Sequence, residues 1–362
     1  MRIDQWVPAL HRGDATGDSV HLMREAFRRW GHESEIYSLS LDPDLEGEAI
    51  PFHKWKPNGP DDVVLMHFAL PSILTPAFLE LRSRRVLVYH NMTPPDFFTG
   101  WDAELERIIR AGLAEIPRLA RACDLALGDS EWNRRELEGF GARRTGVLPI
   151  YMDFDRYREA PNPVRRRMYD DGRTNLLFVG RVAQNKRPDD LVRLASYWKR
   201  FVSPDVRLLL VGLHPRRTTG HGIPLQRHYL DALVAFAYEE GLTPEEVVFT
   251  GHVEHDDLLA CYAAGDLFVS MSEHEGFGVP FLEAMLTGVP VLARDAAAVS
   301  FTLGGAGLAF RGETIAEVAE TGRLVLEDDA LRARILARQA ERVRDFAPER
   351  VEAALRRYVE SL

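Results

Sequence analysis

Nine short apolar runs of strand length alternate with longer stretches of helical periodicity, and this alternation constrains the fold more than any other feature. The runs lie at 36–39, 63–67, 86–89, 125–127, 176–179, 207–211, 247–249, 267–270 and 289–293. Helical patterns fall between them, for example at 21–30, 104–119, 188–200 and 256–264. In the third, Leu191, Leu194, Ala195 and Trp198 stand at i, i+3, i+4 and i+7, one face of a helix. Strands alternating with helices of that length predict βαβ units and parallel sheets. The pattern runs before and after a polar break at 149–173, which holds Pro161, Pro163 and three consecutive arginines from Arg165. The expectation is therefore α/β, with two doubly wound Rossmann-like domains at 1–155 and 156–345. A last helix within 346–362 is expected to pack back on the N-terminal domain. Open parallel sheets bind ligands at the carboxyl ends of their strands, so two such domains predict a site in the cleft between them.

Charge and cysteine content narrow the partners. Fifty-five acidic against 45 basic residues leave a net charge of −10 over 362 residues, and neither half is basic. A general nucleic-acid binder is excluded, because phosphate neutralisation needs a clustered positive surface. Cys123 and Cys261 lie far apart with no C-x-x-C pair, which excludes a zinc knuckle or a disulfide framework and suits a reduced, cytoplasmic protein. The first residues lack the apolar segment of a secretory signal, and no apolar run approaches the ~20 residues that span a bilayer.

Two constellations carry chemistry. The first is the stretch 270–293, SMSEHEGFGVPFLEAMLTGVPVLA. A strand there enters a loop in which Gly276 and Gly278 let backbone approach a ligand, and Pro280 sits where a first helical turn tolerates it. Free amides at the start of that helix, with its dipole, suit a diphosphate. Glu275 lies in the loop and Glu283 one turn into the helix. Two carboxylates would repel a phosphate, so they are expected to accept hydrogen bonds from sugar and ribose hydroxyls. Read singly, each is a surface or helix-start glutamate, and their joint context is what gives them a role. The second constellation is 176–186, LLFVGRVAQNK, where a buried strand ends in Gly180 and is followed by Arg181 and Lys186. Two cations at the carboxyl end of a strand can neutralise a diphosphate.

Gly180-Arg181 with Lys186, and Glu275 with Glu283 eight residues on, resemble the signature of retaining GT-B glycosyltransferases of family 4, the group 1 glycosyltransferases. The resemblance extends to 245–272 before the glutamate pair, to 288–310 after it and, more weakly, to 21–37. It implies a GT-B-like fold. It also implies that Arg181 and Lys186 bind the diphosphate of a nucleotide-sugar donor, that Glu283 holds the ribose and that Glu275 holds the transferred sugar. Gly276, Phe277 and Gly278 would present backbone amides, and the base would lie near Gly251, His252 and Val253. His90, after the strand at 86–89, would contact the donor sugar near its anomeric carbon. Gly17, within the segment 13–18, would belong to a loop approaching the diphosphate, although that segment lacks the paired glycines usual there. His67, at the end of another strand, reads as a core histidine. Arg187-Pro188 follows Lys186 where glycine is common, and Val299, Ser300 and Phe301 stand where many members carry Pro-Glu.

The implied activity is retaining transfer of a hexosyl group, mannosyl or glucosyl, from a UDP- or GDP-linked sugar to a saccharide or lipid-linked acceptor in cell-surface polysaccharide or glycoconjugate assembly. Asp42-Pro43-Asp44 and Asp153-Phe154-Asp155 fit the Asp-x-Asp string of metal-dependent transferases, but such aspartates more often cap turns. With Arg181 and Lys186 as cations, no metal and no other cofactor is expected. A nucleotide-sugar epimerase and an inactive glycan-binding protein are the alternatives within this architecture. The amphipathic stretch 101–122 could lie on an anionic membrane at the inner face, carrying a lipid-linked acceptor. Pro117 and the acidity of this half favour a core helix instead.

Overall fold

The computed structural model describes residues 1–10, 15–41, 45, 47–57, 59–212 and 227–362. The chain divides into two units. One comprises Met1–Thr99, Ala103–Asp153 and Phe346–Leu362, and the other Gly100–Asp102 and Phe154–Asp345. The polar break read from the sequence is thus not a free linker. Most of it, from Phe154 on, belongs to the second unit, where Pro163–Tyr169 form a helix capped by the Asn162 side chain.

In the first unit the order is β1 (Ile3–Leu10), α1 (Ala15–Arg29), β2 (Ile36–Leu41), β3 (Ile50–Pro51), β4 (Val63–Phe68), α2 (Leu74–Leu79), β5 (Arg84–Tyr89), α3 (Ala103–Ala122), β6 (Leu125–Gly128), α4 (Glu131–Gly139) and β7 (Thr145–Val147). The strands form one parallel sheet in the order β3-β2-β1-β4-β5-β6-β7. Helices cover both faces, so the central strands bury both sides and read as continuous apolar runs. α3 buries Ile109, Ile116, Leu119 and Ala120, while Arg107 and Arg110 on its outer face pair with Glu104, Glu106 and Asp96. It is a core helix, and two of its outer cations are matched by carboxylates.

The second unit follows with α5 (Pro163–Tyr169), β8 (Thr174–Val179), α6 (Pro188–Phe201), β9 (Val206–Val211), α7 (Arg227–Glu239), β10 (Val247–Gly251), α8 (His255–Ala264), β11 (Leu267–Ser270), α9 (Val279–Thr287), β12 (Val291–Arg294), α10 (Val299–Leu303), β13 (Leu308–Phe310), α11 (Ile315–Glu327) and α12 (Asp329–Val343). Its sheet is parallel in the order β10-β9-β8-β11-β12-β13. All four apolar residues assigned to one face of α6 are buried in its core, packed with Leu176, Leu208 and Val269. The last helix, α13 (Pro348–Glu360), places Val351, Leu355 and Val359 in a core cluster with Val86, Val88 and Leu125 of the first unit. No helix among the described residues is long and apolar enough to cross a membrane.

Candidate functional site

In the second unit, β8 and β11 are neighbours in the sheet, so the loops leaving their carboxyl ends lie side by side. After β8 the chain passes Gly180 and the exposed Arg181, then makes a short 3-10 turn over Gln184–Lys186. After β11 it carries Glu273, His274 and Glu275 towards α9. Asn185 joins the two loops: its carbonyl accepts from the Glu273 amide at 2.8 Å, and its side-chain amide donates to the His274 carbonyl at 3.2 Å.

That junction sets Lys186 against Glu275, with Nζ 2.6 Å from Oε2 and both side chains largely buried. The sequence suggested two open cations beside a diphosphate. Instead, Lys186 is neutralised by the glutamate assigned to the sugar, whereas Arg181 has no ion-pair partner among the described residues. An ammonium carries three donors, so Lys186 can hold Glu275 and still present an N–H to a phosphate oxygen.

Arg187 explains how this chain manages without glycine after Lys186. Its φ is +49°, the left-handed region that favours glycine. The guanidinium is tied to Asp189, Asp190 and Glu273, and Glu273 is also bridged by Arg294. The ion pairs offset the backbone cost and fix Pro188 as the start of α6. Arg187→Ala keeps the strain and loses the network. We expect a stability loss of about 1–3 kcal/mol, read by urea unfolding, with Arg187→Gly less harmful.

Glu283 lies in α9 and is 7% exposed. Its two oxygens accept from the Tyr157 and Tyr262 hydroxyls, each at 2.6 Å. Burial pushes its carboxyl above the ordinary range and the two phenols pull it back. They leave lone pairs on each oxygen for further donors. Neither tyrosine stands out in the sequence, since Tyr157 is 126 residues away and Tyr262 is 21. Tyr262→Phe leaves a buried carboxylate oxygen without its donor, which should cost ~1–3 kcal/mol of stability in a denaturant titration.

Gly278 caps the start of α9 at φ +84°, and a Cβ there would stand 2.4 Å from the Phe281 ring. Phe277 is buried, and its carbonyl accepts from the Thr302 hydroxyl. The segment of Val299, Ser300 and Phe301 forms α10, with Ser300 bonded to Asp295 and Phe301 beneath the Arg342 guanidinium. β10 runs two residues further than its apolar pattern, so Gly251 ends the strand, with His252 exposed and Val253 half-buried. Asp155 pairs with Arg158 on a 3-10 turn, and Asp42-Pro43-Asp44 lies outside the described residues.

In the first unit, Gly17 is buried in the first turn of α1 and is not in a loop; the residues from Ala15 already have helical hydrogen bonding. Of the segment around it, Gly13 and Asp14 lie outside the described residues. His90 follows β5 and has both ring nitrogens engaged. Nδ1 is 2.9 and 3.1 Å from the Asp129 oxygens, and Nε2 is 2.9 Å from Nδ1 of His67. His67 is buried as read, but it is bonded to the candidate residue itself.

Beside them, Asn91 donates to Asn133 and to Glu136. Burial pushes the Glu136 carboxyl up to about 7 from an ordinary 4.5. Between those values the folded state keeps a proton that the unfolded chain has released, so this group adds stability as pH falls from about 7 to about 4.5. Glu136→Gln removes that dependence. The melting temperature of the native protein relative to the variant should rise as pH drops through this window; a constant difference would contradict the assignment.

Two units, each a parallel doubly wound sheet, are the parts of a GT-B fold. Residues 166–342, within the second unit, match the family of group 1 glycosyl transferases. The chain is 34% identical over 228 residues to a D-inositol 3-phosphate glycosyltransferase of Nocardia farcinica, covering 61% of this chain and 49% of the relative. It is 32% identical over 241 residues to a GDP-mannose-dependent alpha-mannosyltransferase of Mycobacterium tuberculosis, covering 65% and 56%. The chain thus spans about half the length of the curated relatives it matches. The solved structure of Anabaena HepE in complex with UDP-glucose aligns over 100% of both chains with a TM-score of 0.76 at 18% identity, a likeness of fold.

Proposed function

We propose that this protein is a retaining glycosyltransferase that moves a hexosyl group from a nucleoside-diphosphate sugar to a hydroxyl of a saccharide or lipid-linked acceptor, with no required metal. The observation that carries this reading is the Lys186–Glu275 pair, which joins the loop after β8 to the loop before α9 within the family-matched segment. Lys186 and Arg181 take the diphosphate, whose negative charge grows as the bond from the anomeric carbon to the phosphate oxygen breaks. Glu275 orients the sugar hydroxyls from its place beside Lys186. Glu283, held by Tyr157 and Tyr262, accepts from the ribose. In front-face attack the acceptor oxygen bonds to the anomeric carbon as the phosphate leaves, and its proton passes to a phosphate oxygen. Mannosyl or glucosyl transfer is favoured by a relative named for GDP-mannose and agrees with a solved structure of the same fold that holds UDP-glucose.

The test is incubation of the protein with GDP-mannose or UDP-glucose and a panel of glycoside and lipid-linked acceptors in EDTA. Nucleoside diphosphate release and the anomeric proton coupling of the product are followed by NMR. An α-linked product from an α-linked donor supports the reading. An inverted product, or an epimerised free nucleotide sugar with no transfer, would overturn it.

A further inference from the structure

Four side chains on four neighbouring strands form one hydrogen-bonded row in the first unit. In sheet order β1-β4-β5-β6 these are Gln5, His67, His90 and Asp129, the last two just beyond the ends of their strands. The contacts are Gln5 Oε1 to His67 Nε2 at 3.1 Å, His67 Nδ1 to His90 Nε2 at 2.9 Å, and His90 Nδ1 to Asp129 at 2.9 Å. Gln5, His67 and Asp129 are each buried.

The row has a fixed direction, set at its far end. The Gln5 amide nitrogen lies 2.9 Å from the carbonyl of Val20, which can only accept. The amide oxygen must therefore face His67, and Nε2 of His67 must carry the hydrogen. A neutral imidazole has one N–H, so Nδ1 of His67 is a lone pair, and the hydrogen of the next contact belongs to Nε2 of His90. A second proton on His67 would set two N–H groups against each other in a buried place. Burial and the neighbouring His90 accordingly hold His67 well below its ordinary value. At the other end, one proton is shared between His90 Nδ1 and a carboxylate whose own burial raises it while His90 lowers it.

We infer that Gln5 and His67 are positioning residues for His90: they commit its Nε2 proton to His67 while Asp129 holds Nδ1, so that His90 is fixed as a rigid group with neither ring nitrogen offered to a sugar hydroxyl. His90 is thereby held in one orientation. Its part in transfer is the one the family resemblance implies and rests on the proposed function, whereas the direction of the row does not.

The experiment is nitrogen-15 NMR of the full chain labelled at histidine, followed by transfer assays on two variants. The spectrum should show His67 protonated at Nε2 and bare at Nδ1, with a hydrogen-bonded proton on Nε2 of His90. His67→Leu removes the acceptor; it should abolish that proton signal and lower kcat by about tenfold or more with donor KM little changed. His67→Asn returns an acceptor oxygen near the position of Nδ1 and should restore kcat to within about twofold of the native value. His67 found protonated at Nδ1 would overturn the direction of the row. Native turnover in a folded His67→Leu protein would overturn the positioning role while leaving the donor site intact. If the native protein transfers no sugar to any acceptor, the proposed function fails, and the spectrum still decides the row.

Discussion

Lys186→Ala is expected to lower kcat for transfer by ~10²–10³-fold, the usual cost of removing one group that stabilises charge developing in the transition state. The substitution also strands Glu275, a residue 8% exposed whose carboxylate is bonded to Nζ at 2.6 Å. Leaving one member of a mostly buried pair alone costs up to ~3–5 kcal/mol, so a loss of activity in the single variant is by itself ambiguous. The double variant Lys186→Met with Glu275→Gln separates the two effects. It removes both charges, so its urea midpoint should recover most of what the single variant loses. Its kcat should stay as low as that of Lys186→Ala or fall further. Full turnover in a stable Lys186 variant would remove this residue from the chemistry.

Gly212→Ala should have the second large effect, and it acts through backbone. Gly212 follows β9 at φ +139°, and a Cβ there would sit 2.2 Å from the carbonyl oxygen of Gly180 at the end of β8. Neither neighbour can give way cheaply. The Gly180 amide is bonded to the Val211 carbonyl at 2.8 Å, and the Gly212 amide to the Gly251 carbonyl at 3.0 Å. These three glycines bring the carboxyl ends of β8, β9 and β10 together beside Arg181. We expect a loss of ~2–5 kcal/mol from overpacking and backbone strain combined, measured by urea unfolding. Donor affinity should fall in whatever fraction remains folded. A stability change below about 0.5 kcal/mol, the ordinary range of a surface substitution, would contradict the close approach.

What could be read from the sequence divides along a physical line. Parallel sheets followed from alternation, and the buried face of α6 followed from its period, because both are local and repeat. The turns after β8 and β11 were legible for the same reason, since their glycines and helix starts stand at short spacing. Partners were not legible. Periodicity says that Tyr262 and His67 are interior, but not that one donates to Glu283 and the other accepts from His90. Those pairings depend on which strands become neighbours, and nothing local fixes β1-β4-β5-β6 as adjacent. The polar stretch after Pro149 read as a linker because its arginines and prolines are hydrophilic. Arg165 instead pairs with Asp257 of α8 and ties α5 to the second unit. Short β3, β7 and β13, of two or three residues, leave too few side chains to show a pattern. Left-handed Arg187 also escaped notice, because its compensation comes from carboxylates on other elements.

The central claim is that the second unit holds a nucleotide through Arg181, Lys186 and Glu283. It is tested most directly by thermal unfolding of the native protein and of Lys186→Ala with UDP, GDP and ADP, each in EDTA. A ligand that binds only the folded state adds RT ln(1 + [L]/Kd), about 2.7 kcal/mol at a hundred times Kd. The account predicts that UDP or GDP raises the melting temperature of the native protein in EDTA and does so much less in the variant. No stabilisation by any nucleotide at millimolar concentration, or equal stabilisation of both proteins, would contradict it.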